Sequence, residues 1–297
     1  MSETVIKVSN FTKRYGSLTA VDRISFEIKK GEIFGLLGPN GAGKTSTLEC
    51  LEGLRSPDGG TIEIMGVNPS RENGKLKDLI GVQLQSSALP PAITVKEAME
   101  LFSAYHGIKP RYDLLERMGL SDKLNTQYHA LSGGGQRRLV LALAATHRPS
   151  VLILDEPTAA LDVQSRVELH SLMKELRDEG TTILLATHDM AEAEKMSDRI
   201  AILLKGRLVA SGTPKEITSA GSTKTKISVR TSGTSLQGTG GVLIDEYYVF
   251  FSDSPGSRVM ELLNSIESSG DSLVDLRVER PSLEERFLEI TSAGGAR

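Results

Sequence analysis

Residues 38–45 read Gly38-Pro39-Asn40-Gly41-Ala42-Gly43-Lys44-Thr45. They fit G-x-x-x-x-G-K-[ST] at every fixed position. An apolar strand pattern, Glu32-Ile33-Phe34-Gly35-Leu36-Leu37, leads into the stretch, and a helix-competent run from Thr45 to Leu54 leads out of it. Glycine lets the chain curl so that successive N–H groups surround an anion. The helix that follows adds its positive N-terminal end. Lys44 is then placed to reach β- and γ-phosphates, Thr45 to offer its hydroxyl to Mg²⁺, and Ser46 stands beside it. The stretch therefore predicts an α/β core that binds a nucleoside triphosphate.

Further along lie two more apolar runs that end in polar groups. Val151-Leu152-Ile153-Leu154 reads as a central buried strand and meets Asp155-Glu156-Pro157-Thr158. Ligands of open α/β sheets sit at the carboxyl ends of strands, and two carboxylates there are costly unless they have work. Asp155 suits Mg²⁺. Glu156, expected to point the other way by strand alternation, suits a general base. Thr181–Ala186 is a second buried strand, closed by Thr187-His188-Asp189; His188 can bond a terminal phosphate or the water beside it. Leu79–Gln85 reads as a strand ending in a glutamine. Tyr15, in a turn-rich stretch from Asn10 to Gly16, offers a flat face for a purine ring. The other histidines, His106, His129, His147 and His170, have no metal-ligand spacing.

Between these strands the pattern turns helical. Thr94-Val95-Lys96-Glu97 fits a capping box, with Ala98, Leu101, Phe102 and Tyr105 at helical spacing. Leu131-Ser132-Gly133-Gly134-Gly135 precedes an apolar helix. By itself that stretch is a Ser132 N-cap at least as readily as a second anion site. After residue 218, Ser, Thr and Gly enrichment marks a boundary. A small α+β domain of strands near 226–230, 242–251 and 274–278 and two helices follows, with no convergent polar groups.

At 297 residues the chain has room for two domains. Its net charge of −3 argues against a nucleic-acid partner. No apolar run approaches the length of a membrane span. Met1–Thr4 lacks the features of a secretory signal, and the single cysteine, Cys50, fits a reducing compartment and a small buried apolar role.

In their order these pieces resemble the nucleotide-binding subunit of ATP-binding-cassette (ABC) transporters. The resemblance covers residues 1–217, with a helical subdomain at about 88–148 and an antiparallel β part, leaving 218–297 as an accessory domain. Gly38–Thr45 matches its Walker A loop, Gln85 its Q-loop glutamine, and Leu131–Gly135 its Leu-Ser-Gly-Gly-Gln signature. Asp155 and Glu156 match the Walker B end, Ala160-Leu161-Asp162 the D-loop, His188 the switch histidine, and Tyr15 the adenine-stacking aromatic. The resemblance implies ATP and Mg²⁺ as ligands, with Thr45, Gln85 and Asp155 at the metal and Glu156, His188 and Gln85 at the attacking water. It also implies a head-to-tail dimer, expected to be a homodimer, in which Ser132–Gly135 and Asp162 of one chain close over ATP held by the other. The fifth signature position is Gly135, not glutamine, and its extra freedom is expected to loosen closure. The ending Pro281-Ser282-Leu283-Glu284-Glu285-Arg286-Phe287-Leu288 is similar to that of drug-type and ABC-2-type exporter ATPases. The implied protein is cytoplasmic, peripheral on the inner face of the membrane, and drives a separate polytopic permease. A soluble ABC ATPase acting on ribosomes or DNA, and an importer ATPase, remain open alternatives at this point.

Overall fold

The computed structural model describes residues 3–85, 89–220 and 224–294. It divides into two compact units, Met1–Pro214 and Lys215–Arg297. In the first, a six-stranded sheet has the order β5-β6-β7-β3-β8-β9. Its members are β3 (Ile33–Leu37), β5 (Ile80–Gln83), β6 (Val151–Asp155), β7 (Thr182–Thr187), β8 (Arg199–Leu204) and β9 (Arg207–Gly212). All pairs are parallel except β8 with β9. Every residue of β3, β6 and β7 is buried, because helices cover both faces and leave no polar side to alternate with.

Helix α1 (Lys44–Leu51) covers one face, where Leu48, Cys50 and Leu51 pack with Val151, Ile153, Leu184 and Ala186. On the other face Leu152, Leu154, Ile183 and Leu185 join the helical insertion and α6 (Val163–Asp178). The register pairs Leu37 with Thr187 and Asp155 with Ala186. Strands β3, β6 and β7 therefore end level, and the glycine loop, the two carboxylates and His188 emerge along one edge.

A second sheet, β2-β1-β4, is antiparallel and comprises β1 (Thr4–Tyr15), β2 (Leu18–Lys29) and β4 (Gly59–Ile64). The turn-rich reading of Asn10–Gly16 is corrected here, since β1 runs on to Tyr15. Asn10 takes a left-handed conformation (φ 48°), its N–H donates to Ser25 Oγ at 2.8 Å, and the register shifts between Val8 and Phe11. A bulge absorbs the turn-forming residue, and complete burial of Phe11 keeps the strand going.

The insertion contains α3 (Val95–Tyr105), α4 (Tyr112–Arg117) and α5 (Gly133–Ala145). Before it stands α2 (Asn73–Leu79), which the sequence reading missed. Leu79 closes that helix, so β5 starts one residue later than expected and ends at Gln83 rather than Gln85. After β7, α7 (Met190–Met196) begins on an Asp189 cap.

Pro214 ends the first unit and also opens α8 (Pro214–Ser219), which leads into the second. The sheet of the second unit has the order β11-β12-β10-β13, formed by β10 (Thr225–Thr231), β11 (Val242–Ile244), β12 (Tyr247–Ser252) and β13 (Leu273–Glu279). The single strand expected over 242–251 is a hairpin. Asp245 and Glu246 both have positive φ, 45° and 68°, the geometry of a tight two-residue turn. Helix α9 (Pro255–Ser268) packs Leu262 and Ile266 on Ile227, Val229 and Phe250. Helix α10 (Leu283–Gly294) ends the described chain.

Helix α3 carries the capping box. The Glu97 N–H donates to Thr94 Oγ1 at 3.2 Å and the Thr94 N–H donates to Glu97 Oε2 at 2.9 Å. Thr94→Ala should cost about 1 kcal/mol, read as a lower denaturation midpoint with an unchanged denaturant slope. An unchanged midpoint would mean that the box contributes nothing.

Candidate nucleotide site

Gly43 caps α1 with no side-chain bond to the first turn, which leaves helix N–H groups facing outward for a ligand. Its φ is 105°, and a Cβ there would lie 2.6 Å from the Ala20 carbonyl oxygen, so only glycine fits. Lys44 is buried. Its Nζ donates to the Gly38 carbonyl at 2.6 Å, lies 3.3 Å from that of Pro39, and stands 3.9 Å from Glu156 Oε1. Burial holds this ammonium below the usual lysine range, while Glu156 and Asp155 oppose the shift.

Tyr15, Pro39, Asn40, Gly41, Thr45 and Ser46 line a cavity of about 460 Å³ with Lys44. Gly43 lines it too, whereas Gly38 and Ala42 do not: Ala42 is buried and its carbonyl accepts from the Gly206 N–H at 3.0 Å. The Tyr15 ring has the Arg55 guanidinium 5.3 Å and the Lys13 ammonium 5.5 Å from its centre.

Asp155 ends β6 on the α1 side. Burial first, then Glu156, pushes its carboxyl up to about 6. Glu156 does not owe its direction to strand alternation. It lies beyond the strand with φ 49°, a left-handed conformation that is rare for a non-glycine residue and recurs at functional sites. The Ala186 carbonyl accepts its N–H at 2.9 Å. His188 Nδ1 lies 2.7 Å from Glu156 Oε1. Lys44, Asp155, Glu156 and His188 thus form one cluster from three strand ends.

The remaining sites lie elsewhere. Ser132 caps α5, its Oγ accepting from the Gly135 N–H at 3.2 Å. Gly135 lies within the first turn of α5, where the helix limits its freedom. Gln136 Nε2 donates to the carbonyls of Tyr128 and Leu131 at 3.1 and 3.3 Å, so this glutamine ties down the helix start. Gln85 is exposed and lines a second cleft of about 250 Å³ with Gly133, Gln136, Arg137 and Ala160. It is not grouped with Lys44 and Glu156. Asp162 caps α6, accepting from the Ser165 N–H at 2.9 Å.

Two acids, Glu192 buried and Glu52 half-buried, escaped the sequence reading. Glu192 is buried on α7, where its Oε1 accepts from Thr158 Oγ1 at 2.6 Å and lies 2.9 Å from His170 Nε2. His170 Nδ1 is buried without a partner, so the neutral ring that donates through Nε2 fits best. Asp-x-x-Glu at 189–192 looks like a surface capping pattern, which hides the network. Glu52, at the end of α1, is pushed up to about 7 by burial, with Asp155 and Glu49 adding to the shift. The only sign of it in the sequence is one carboxylate beside the apolar residues of α1. The Cys50 thiol is buried and pushed up to about 11 by that burial.

Asp155 and Glu52, the two raised carboxyls, set a pH dependence. In the unfolded chain both carboxyls ionise near ordinary values. The folded chain keeps more protons from about 4.5 to about 7, so the Glu52 contribution to stability falls as pH rises through that window. Glu52→Gln should therefore stabilise the nucleotide-free protein at about pH 8, by on the order of 2 kcal/mol, and little at about pH 4. Thermal unfolding at the two pH values checks this. A variant no more stable than the parent at the higher pH would contradict it.

Residues 21–159 match the model of the family described as ABC transporter. Over 97% of this chain and 98% of the relative, the sequence is 34% identical to the linearmycin resistance ATP-binding protein LnrL of Bacillus subtilis. It is also 34% identical to the daunorubicin resistance ATP-binding protein DrrA3 of Streptomyces coeruleorubidus, over 98% of this chain and 97% of the relative. Identity reaches 40% with the Nod factor export ATP-binding protein I of Ralstonia nicotianae, over 73% of this chain and 69% of the relative. A solved ATP-binding subunit of an ABC transporter superposes with a TM-score of 0.67 at 27% identity, over 73% of this chain and 92% of that one. No helix among the described residues is long and apolar enough to cross a membrane. Phosphate-loop geometry and likeness along nearly the whole chain to two resistance ATP-binding proteins lead to one conclusion: the chain belongs to the ABC transporter family, as an ATP-binding subunit of the ABC-2, drug-exporter type.

Proposed function

We propose that this chain hydrolyses ATP in pairs at the inner face of a membrane and so drives export through a separate permease. The observation that carries the residue roles is the Lys44–Glu156–His188 contact, in which Glu156 Oε1 lies 3.9 Å from Lys44 Nζ and 2.7 Å from His188 Nδ1. The glycine loop and Lys44 hold the phosphates, and Tyr15 packs on the base. A water attacks the γ-phosphorus while the bond to the β–γ bridging oxygen breaks. Glu156 takes the water's proton, Lys44 balances the charge that develops on the phosphate oxygens, and ADP and phosphate leave. His188 orients the Glu156 carboxylate and, once the γ-phosphate is present, bonds it as well.

Asp155 and Glu156 are two adjacent buried carboxylates with Lys44 as the ammonium between them, an arrangement that accepts a divalent cation. Among the described residues no group of three or more His, Cys, Asp or Glu stands together to hold a metal. A cation here would therefore complete its shell with phosphate oxygens. Thr45 and Asp155 would hold Mg²⁺, and Gln85 would join them in the closed state. There the ion would neutralise phosphate charge.

Ser132–Gly135 and Asp162 stand at the second cleft and at the start of α6, away from the Lys44 cavity. They would meet the ATP of a second copy, so two chains enclose two nucleotides and closure is transmitted to the permease. Sequence likeness to linearmycin-, daunorubicin- and Nod-factor-type subunits supports export, with no particular cargo implied.

Glu156→Gln should cut steady-state phosphate release by about 100-fold or more while ATP still binds. Unchanged turnover removes Glu156 as the base. In that slow background ATP should drive dimerisation, and adding Ser132→Arg should abolish it. A dimer that persists with Ser132→Arg would rule out the signature's place across the interface.

A further inference from the structure

Strand β13 is an edge of the second unit's sheet, paired only with β10. It is seven residues long and exposed along most of its length. Leu273, Val274 and Val278 are 42%, 50% and 48% exposed. A long apolar edge with free N–H and C=O groups is a template for another strand. Natural edges are usually blunted by charge, and β13 does carry Asp275, Arg277 and Glu279. The order of those charges, however, permits one partner.

Reading outward from Leu276, the strand is Val274-Asp275-Leu276-Arg277-Val278. An antiparallel copy related by a two-fold axis through Leu276 sets Val274 against Val278 and Asp275 against Arg277, on both sides of the axis. Leu273 then lies opposite Glu279, so the whole strand overlaps its copy. An axis through Asp275 puts Asp275 against itself, and one through Arg277 puts Arg277 against itself and Asp275 against Glu279. Opposite charges directly across a pair stabilise, and like charges repel. Moving the axis by one residue, a two-residue slip in register, is thus penalised in either direction.

Both faces of the sheet suit the same register. Val278 pairs with Ile227 and Leu276 with Val229, so Leu276 and Val278 lie on the α9 side, where Ile227 and Val229 are core. Val274 is the extra residue where the register shifts between Arg230 and Thr231, so the regular part of the pairing is centred on Asp275, Leu276 and Arg277. On the other face Tyr247 Oη donates to Asp275 Oδ2 at 2.6 Å, and Arg277 Nε donates to the same oxygen at 2.9 Å. The Arg277 guanidinium also lies 4.7 Å from the Tyr247 ring centre. These contacts hold the two charges in place, with 57% of the Arg277 side chain and 32% of that of Asp275 still open to a partner. The opposite edge, β11, offers only three residues.

We propose that β13 pairs antiparallel with β13 of a second copy of this chain, centred on Leu276, joining two four-stranded sheets into one of eight. The contact needs no nucleotide. It goes beyond the ATP-driven closure proposed above and shares with it only the partner, so the two dimers fail separately.

Sedimentation velocity of the full-length, nucleotide-free chain over a concentration series tests it. Wild type should dimerise. Asp275→Arg alone and Arg277→Asp alone should each raise the dimer dissociation constant by about tenfold or more, since each sets like charges across the axis. A one-to-one mixture of the two variants should restore the dimer, because Arg faces Asp at all four positions. A folding defect cannot be restored by mixing. Leu276→Cys, with Cys50 buried, should be joined to itself by a short bismaleimide without ATP. A monomeric wild type overturns the proposal, as do single variants that dimerise like wild type or a mixture that stays monomeric. Failure of the Leu276→Cys chain to cross-link overturns it even if both charge variants misfold. ATP-driven dimerisation of the Glu156→Gln chain, measured alongside, reports on cassette closure alone.

Discussion

The core depends on keeping one ammonium among carboxylates where water is scarce. Lys44, Asp155 and Glu156 are all buried. An isolated buried charge is costly, and a pair survives only when geometry and added hydrogen bonds compensate. Here the compensation comes from the backbone: loop carbonyls accept from Lys44, and the His188 ring accompanies Glu156. None of it works unless β3, β6 and β7 end level. The fully buried strands and their parallel register are therefore as much a part of the site as the polar residues. Asp155 and Glu52 show what is left uncompensated, since both acids resist ionising while the nearby cations are too few.

What could be read from the sequence follows from how local each signal was. The phosphate loop, the two apolar strands with polar ends and the Thr94 capping box each lie within a few residues. The structure has all of them near the expected places. Misreadings occurred where distant contacts decided. Asn10 signals a turn, but Phe11 is buried and β2 pairs across it. Leu79 extends an apolar strand pattern, yet it closes a helix. Asp245 and Glu246 interrupt a run of apolar and aromatic residues that otherwise reads as one strand, and no glycine or asparagine marks the turn. Glu192 looked like a surface residue because its partners, Thr158 and His170, are 34 and 22 residues away.

The Glu192 network also bears on how the site is held. Thr158 lies two residues after Glu156, and α7 starts just after His188. A buried bond between Thr158 and Glu192 therefore links the segment carrying Glu156 to the segment carrying His188. Arg166 on α6 adds a link at 3.2 Å to Asp189, which caps α7. The 2.7 Å approach of His188 to Glu156 thus rests on a frame of buried polar contacts behind it, not on the flexibility of a loop.

A similar frame joins the two elements proposed to face a second copy. A Cβ on Gly134 would lie 2.4 Å from Ser165 Oγ, so α5 and α6 approach at their first turns with the Ser165 side chain against the Gly134 backbone. Ser165 is bonded through both its N–H and its hydroxyl to Asp162, at 2.9 and 2.8 Å. Arg138 and Glu168 pair one turn further along. Ser132 at the start of α5 and Asp162 at the start of α6 are therefore fixed relative to each other by packing. Whatever binds one of them is felt at the other. The α6 end of that corner also lies seven residues or fewer from Glu156 along the chain. A contact made on this corner would therefore be joined to Glu156, the proposed base, by a short stretch of chain within the first unit.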